Sequence, residues 1–111
     1  MRIPERSRFY MAKQITMQNF EQEVVQSSTP ILLDFWATWC GPCQRQGPII
    51  DQMAADGWNV GKVNVDESQE LAAKFRVMSI PTLVVVKDGK EVARAVGLQA
   101  REQLEQMLRN A

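Results

Sequence analysis

The hydrophobic positions of this chain switch between strand-like and helix-like spacing, and the pattern predicts one α/β domain. Continuous apolar or β-branched runs are typical of strands, and they lie at residues 31–37, 58–65, 82–86 and 91–96. Helical spacing is found between Thr16 and Ser27 and at residues 41–55, 71–75 and 101–109. This order predicts a mixed central sheet, with three strands of parallel type and a C-terminal antiparallel hairpin, flanked by four helices.

Short polar motifs mark the ends of several of these elements. Thr16 is typical of a helix N-cap, and Asp66 with Gln69 resembles a capping box before the third helix. The dipeptide Asp88-Gly89 is a strong signal for a hairpin turn, so the last two strands should be antiparallel.

The first 13 residues differ from the rest because they have no clear hydrophobic periodicity and carry Pro4 in a charged setting. We predict a flexible N-terminal tail at residues 1–13 and one domain at residues 14–111, since a chain of 111 residues buries a single core. The tail has three arginines without an apolar segment after them, which argues against a secretory signal peptide. A targeting role for the tail and a protein start at Met11 both stay open.

The charge balance excludes partners that need a strong field around the chain. Thirteen basic and thirteen acidic residues cancel, so neither nucleic acid nor an anionic membrane is favoured. No apolar run approaches the roughly 18 residues that span a bilayer. We therefore expect a cytosolic location, where thiols are kept reduced and a structural disulfide is unusual.

The chain has two cysteines and no histidine, and this restricts its chemistry. A Cys-His nucleophile pair and a His-rich zinc site are both excluded. Two cysteines cannot complete a four-ligand zinc site alone, so we expect no metal and no bound cofactor. A metal or iron–sulfur cluster shared between two subunits is an open alternative.

Cys40 and Cys43 follow a buried strand, and the sequence predicts that they open the next helix. Unpaired backbone N–H groups and the helix dipole at that end favour a thiolate, the species that attacks a disulfide. Gly41 allows close approach of a partner backbone, and Pro42 stiffens the turn. Two unreactive core cysteines are the alternative, since cysteine is among the most buried residue types.

The segment Trp36-Ala-Thr-Trp-Cys-Gly-Pro-Cys43 resembles the active-site signature of the thioredoxin family. The resemblance covers residues 14–110 and continues in the family's order through four further motifs: Lys62–Asp66, Ile80–Thr82, Asp88-Gly89 and Val96-Gly97. It implies the thioredoxin fold and a thiol–disulfide oxidoreductase that reduces protein disulfides as a general cytosolic reductant and electron donor. It also implies that Cys40 is the attacking thiol, Cys43 the resolving thiol and Pro81 a cis-proline facing them.

Asp34 is a single carboxylate within the predicted central strand. It is either a water-exposed strand-end residue or a buried acid with a raised pKa that exchanges a proton with Cys43. The resemblance favours the buried acid and implies that Lys62 is the partner that moderates its pKa. Lys62 taken alone has the pattern of a strand-end surface lysine.

The resemblance also implies an apolar contact surface for protein substrates around the thiolate. The predicted contact residues are Trp39, Gly41, Pro42, Ile80, Val96 and Gly97, next to Pro81. The implied partners are disulfide-containing proteins and a reductase of the NADPH-dependent flavoprotein type, and we expect a monomer.

Three features depart from the family pattern. The segment between Pro48 and Lys62 is about one helical turn shorter than expected. Trp58 within it has no counterpart, and Gln44 replaces the basic residue often found after the second cysteine. These departures could alter the preference for reductase or substrate. An accessory binding subunit that uses the apolar rim is an alternative function, since some members of the family serve as subunits of larger complexes. An oxidant or isomerase is another, although Gly-Pro between the cysteines resembles the reductants.

Overall fold

The computed structural model describes residues 11–111 and shows a five-stranded mixed sheet between two layers of helices. The strands are β1 (Lys13–Gln14), β2 (Ile31–Trp36), β3 (Val60–Asn64), β4 (Thr82–Lys87) and β5 (Lys90–Val96). The helices are α1 (Met17–Phe20), which continues as a π-helical turn (Glu21–Val25), α2 (Gly41–Ala55), α3 (Gln69–Lys74) and α4 (Arg101–Arg109).

The strands lie in the order β1-β3-β2-β4-β5, so β2 is at the centre of the sheet. Strands β1, β3 and β2 are parallel to one another, whereas β4 is antiparallel to both β2 and β5. The predicted mixed sheet with four helices is confirmed. The third parallel strand, however, is β1 rather than the strand at residues 82–87.

Alternation along β2 divides the core between the two faces of the sheet, as the two-residue period of a strand requires. Leu33 and Phe35 pack with α1 and α3 on one face, and Leu32 packs with α2 and α4 on the other. All three side chains are fully buried, as expected for a strand covered on both sides. The same alternation places Asp34 on the face of α2 and α4.

Strand β1 is the element that the hydrophobic pattern did not predict. Lys13, which we expected in a flexible tail, pairs with Gly61 of β3, and Ala12 is buried beside it. A two-residue strand has no periodicity to detect, and its pairing is determined by a partner far along the chain. The rest of the predicted tail, residues 1–10, lies outside the described residues.

The predicted helix caps had different outcomes. Thr16 caps α1 as predicted, since its side chain accepts a hydrogen bond from the backbone N–H of Gln18. The capping box of Asp66 and Gln69 is wrong, because the N-cap of α3 is Ser68 and its side chain makes no capping bond. Instead, the Asn64 side chain accepts from the backbone N–H of Asp66 and organises that turn.

The β4–β5 hairpin forms where the sequence predicted it. Asp88 has φ +53° and Gly89 has φ +77°, and positive values at both central residues are the requirement of a type I′ turn. The hairpin directs the end of β5 back toward the turn that precedes β4. This return brings Gly97 into hydrogen-bond contact with Pro81, in the turn beside Cys40.

Candidate active site

Cys40 and Cys43 are joined by a disulfide at the N-terminus of α2, with their Cα atoms 5.2 Å apart. Cys40 is the N-cap of the helix, and its sulfur accepts a hydrogen bond from the Cys43 backbone N–H at 3.2 Å. In the reduced protein the same N–H and the helix dipole would stabilise a thiolate on Cys40. The predicted placement of the cysteines at a helix start is confirmed.

A groove of about 500 Å³ lies on the outer side of Cys40. Four predicted contact residues line it with Cys40: Trp39, Gly41, Pro42 and Ile80. Trp39 is 70% exposed and its indole N–H donates to Asp66, which fixes the ring at the edge of the groove. An exposed, oriented aromatic ring beside a reactive sulfur is suited to contact with another protein.

The sequence reasoning missed the second wall of this groove, which Val77, Met78 and Ser79 provide. Met78 is 92% exposed, which is unusual for a large apolar side chain. The signal was available, since Val77-Met78 is an apolar pair next to the predicted Ile80-Pro81 turn.

The remaining predicted contact residues, Val96 and Gly97, do not line the groove but contact the turn that contains Pro81. The Ile80–Pro81 peptide bond is cis, and the Ile80 carbonyl oxygen lies 3.7 Å from the Cys40 sulfur. Val96 pairs with Thr82 in the sheet, and the Gly97 N–H donates to the Pro81 carbonyl at 2.8 Å. The end of β5 is thus held against the turn whose Ile80 carbonyl approaches the Cys40 sulfur.

The sequence and fold of this chain match those of thioredoxins. The thioredoxin family model matches residues 11–110. Thioredoxin from Alicyclobacillus acidocaldarius is 45% identical over 97 residues, covering 85% of this chain and 91% of the relative. Thioredoxin 1 from Synechococcus elongatus is 46% identical over 90 residues, covering 78% and 84%. The solved structure of a mutant thioredoxin from Halobacterium salinarum superposes with a TM-score of 0.79 at 34% identity, covering 90% of this chain and 89% of that chain.

This chain belongs to the thioredoxin family. It is a thiol–disulfide oxidoreductase that reduces protein disulfides, and its redox-active group is the Cys40–Cys43 disulfide. Within residues 11–111, no cluster of three or more histidine, cysteine or acidic side chains could hold a metal ion. None of the helices in this part of the chain is long and apolar enough to cross a membrane.

Asp34 lies beneath the thioredoxin dithiol and is fully buried. Neither carboxylate oxygen has a hydrogen-bond partner among the described residues. The pKa of Asp34 is raised to about 7, chiefly by burial; the positive charge of Lys62 lowers it, and the negative charge of Asp51 raises it. The exposed strand-end alternative is therefore wrong, and Asp34 can change protonation state near neutral pH.

A cavity of about 270 Å³ connects Asp34 with the inner side of the dithiol. Asp34, Cys43, Asp51 and Lys62 all line it, together with Trp36. A volume of this size admits several water molecules, each of which occupies about 30 Å³. The two sulfurs therefore have different surroundings, with Cys40 at the outer groove and Cys43 at a polar inner cavity.

Lys62 lies opposite Asp34 in the register of β2 and β3 and is buried, so the surface-lysine alternative is wrong. Its ammonium forms an ion pair at 3.1 Å with Asp51, and its positive charge lowers the pKa of Asp34, as the resemblance implied. Gly47 leaves space for it, since a Cβ there would lie 3.3 Å from the Lys62 nitrogen. The effect of Lys62 on Asp34 is thus a charge effect without a direct hydrogen bond.

Asp51 is the polar residue of the site that the sequence reasoning missed. It follows Cys43 and Gly47 at intervals of four, so the three residues share one face of α2. That spacing was a usable signal. Asp51 also accepts a hydrogen bond from the Ala12 N–H at 2.9 Å, which ties β1 to the site.

Proposed function

We propose that reduction begins with Cys40 as the nucleophile. Its thiolate attacks one sulfur of the substrate disulfide, forms a Cys40–substrate disulfide and releases the other substrate sulfur as a thiolate. The position of Cys40 at the start of α2, with its sulfur at the groove, supports this role. The groove and the Val96-Gly97 edge would bind the extended segment that carries the substrate disulfide.

Cys43 then acts as the resolving thiol, with Asp34 as its base. Asp34 takes the Cys43 proton, and the resulting thiolate attacks the Cys40 sulfur. The Cys40–Cys43 disulfide forms, and the second substrate sulfur leaves as a thiolate. The two substrate thiolates then take up one proton returned by Asp34 and one from solvent, so the substrate gains two electrons and two protons. The observation that carries this proposal is the shared cavity of Cys43 and Asp34, since an acid with a pKa of about 7 accepts and returns a proton at neutral pH.

Lys62 and Pro81 have supporting roles in this mechanism. Lys62, held by Asp51, keeps a positive charge near Asp34 and prevents its pKa from rising further. Pro81 belongs to the turn whose Ile80 carbonyl oxygen approaches the Cys40 sulfur. Proline has no N–H, so the Pro81 position adds no backbone donor next to the Ile80 carbonyl.

The dithiol must be regenerated after each turnover, and we assign that step to a flavoprotein reductase that uses NADPH. The family membership and the exposed rim at Trp39 and Met78 support a protein partner that docks at the same groove. We further propose a cytosolic monomer, and the net charge of zero gives nucleic acid or an anionic membrane no strong field to bind.

Single cysteine variants test the assignment of the two sulfurs. Cys40→Ser should abolish reduction of insulin, because no thiolate remains at the groove. Cys43→Ser should attack insulin once and accumulate a mixed disulfide, because no resolving thiol remains. Turnover is followed by NADPH oxidation with a flavoprotein reductase, and mixed disulfides by mass spectrometry, with Thr38→Ser in the adjacent loop as the control.

Full activity of Cys40→Ser would contradict the mechanism. A double Cys→Ser protein that keeps the cellular role would indicate the accessory binding function instead. A reduction potential well above the cytosolic glutathione potential would indicate an oxidant or isomerase.

A further inference from the structure

Gln46 is a polar residue of α2 that the mechanism above does not use. Its side chain is fully buried three residues after Cys43. Its amide oxygen accepts from the Gln99 backbone N–H at 2.8 Å, and its amide nitrogen donates to the Gln99 carbonyl at 3.2 Å. A buried amide without partners is costly, and here both partners come from the loop at residues 97–100 between β5 and α4.

The Gln99 side chain continues this hydrogen-bond chain toward the substrate surface. Its amide donates to the Gly97 carbonyl at 3.2 Å, and the Gly97 N–H donates to the Pro81 carbonyl at 2.8 Å. A connected set of bonds therefore joins the helix of the dithiol, the Val96-Gly97 edge and the Ile80–Pro81 turn. Gly97 has φ +93°, so its backbone direction depends on such constraints.

We propose that Gln46 and Gln99 are positioning residues that hold the Val96-Gly97 edge at a fixed distance from the dithiol for extended peptide substrates. The inference rests on the proposed function, because it concerns how the substrate is seated for the same reaction. An apolar pair could fill this space, but it would not fix the orientation of the loop at residues 97–100 as two reciprocal hydrogen bonds do. Neither residue lines the groove beside Cys40.

The test compares a protein disulfide with a small disulfide that contacts only the sulfur. Gln46→Met keeps the length of the side chain and removes both bonds to the loop. The KM for insulin should rise about tenfold with kcat changed less than about twofold, because the Val96-Gly97 edge that would bind the peptide shifts. The rate with 5,5′-dithiobis(2-nitrobenzoate) should change less than about twofold, because this small substrate does not bind along the Val96-Gly97 edge.

Gln52→Met is the matched control, since Gln52 is an exposed glutamine on the same helix. It should change neither substrate's kinetics by more than about twofold. If circular dichroism shows that Gln46→Met does not fold, Gln99→Ala replaces it. That variant removes only the side-chain bonds to residues 96 and 97, and the insulin KM should rise about threefold.

An unchanged insulin KM, or an equal loss with both disulfides, would overturn the positioning role. An equal loss would mean that the residues support folding or the dithiol itself. The activity of the parent protein distinguishes failure of this inference from failure of the proposed function. Failure of the parent protein to reduce either disulfide would contradict the reductase mechanism. If the parent reduces both disulfides but Gln46→Met leaves the insulin KM unchanged or affects both substrates equally, only this inference is contradicted.

Discussion

At the scale of single residues, the site depends on one buried acid, Asp34, and on two charged groups that change its pKa without a direct hydrogen bond to it. Burial raises the pKa of Asp34, and two charged groups modify the result: Lys62 from β3 and Asp51 from α2. Strand β4 contributes the apolar Leu83 opposite Asp34 in the sheet. Because Lys62 is paired with Asp51, only part of its charge acts on Asp34.

Replacing Asp51 with asparagine should lower the pKa of Asp34 by about one unit. The change removes a negative charge and frees the Lys62 ammonium, while an amide oxygen still accepts from the Ala12 N–H. The measurement is a carbon-13 NMR titration of the Asp34 carboxyl in the oxidised protein. Asp56→Asn, at the C-terminal end of α2, is the control and should leave the titration unchanged. A pKa equal to or above that of the parent would show that Asp51 does not restrain Lys62.

At the scale of elements, the site is assembled from pieces that are positioned by close contacts outside it. Strand β1 reaches the site through the Ala12–Asp51 bond and packs along β3. The approach is close at Gly61, where a Cβ would lie 2.7 Å from the Cγ1 atom of Ile15. Ile15 is a buried, β-branched side chain in the core, so it has little freedom to move away.

Gly61→Ala should therefore lower the free energy of unfolding by about 1–3 kcal/mol, the usual effect of overpacking. Urea denaturation of the oxidised protein measures it. Gly41→Ala serves as the control, because a Cβ there would have no atom of residues 11–111 within 4 Å. Its stability should change by no more than about 0.5 kcal/mol. Equal stability of the parent and Gly61→Ala would mean that β1 adjusts without strain.

At the scale of the whole molecule, the buried acid opposes folding. The folded protein holds the proton of Asp34 up to about pH 7, whereas an ordinary aspartate loses it near 3.8. The folded state therefore binds more protons between these values, so its stability falls as the pH rises through that window. The stability that depends on a protonated Asp34 is fully present below pH 3.8 and is lost above pH 7.

Asp34→Asn should remove this pH dependence. Between pH 4 and pH 8, the unfolding free energy of the parent should fall relative to that of the variant by about 4 kcal/mol. Denaturation of both oxidised proteins across the pH range gives the difference. Asp56→Asn, which replaces an exposed acid, should follow the parent. A constant difference between parent and Asp34→Asn would contradict a folded-state pKa near 7.

The sequence by itself determined the central strand, the dithiol and the hairpin, because the signals for these features are local. A continuous apolar run specifies β2, the adjacent cysteines specify the dithiol, and Asp88-Gly89 specifies the hairpin from its own backbone preferences. Each of these depends on residues a few positions apart. The strand pattern leaves Asp34 open between an exposed strand-end residue and a buried acid, and the family resemblance favours the buried acid.

Only the tertiary structure decided which distant groups meet. The ion pair of Lys62 with Asp51, the short strand β1 and the bonds between Gln46 and Gln99 join residues that local periodicity treats as independent. Long-range contacts depend on side-chain direction and on the packing of neighbouring elements, and a one-dimensional pattern contains neither. The shared cavity of Asp34 and Cys43 became visible for the same reason, since β2 and α2 had to pack before it existed.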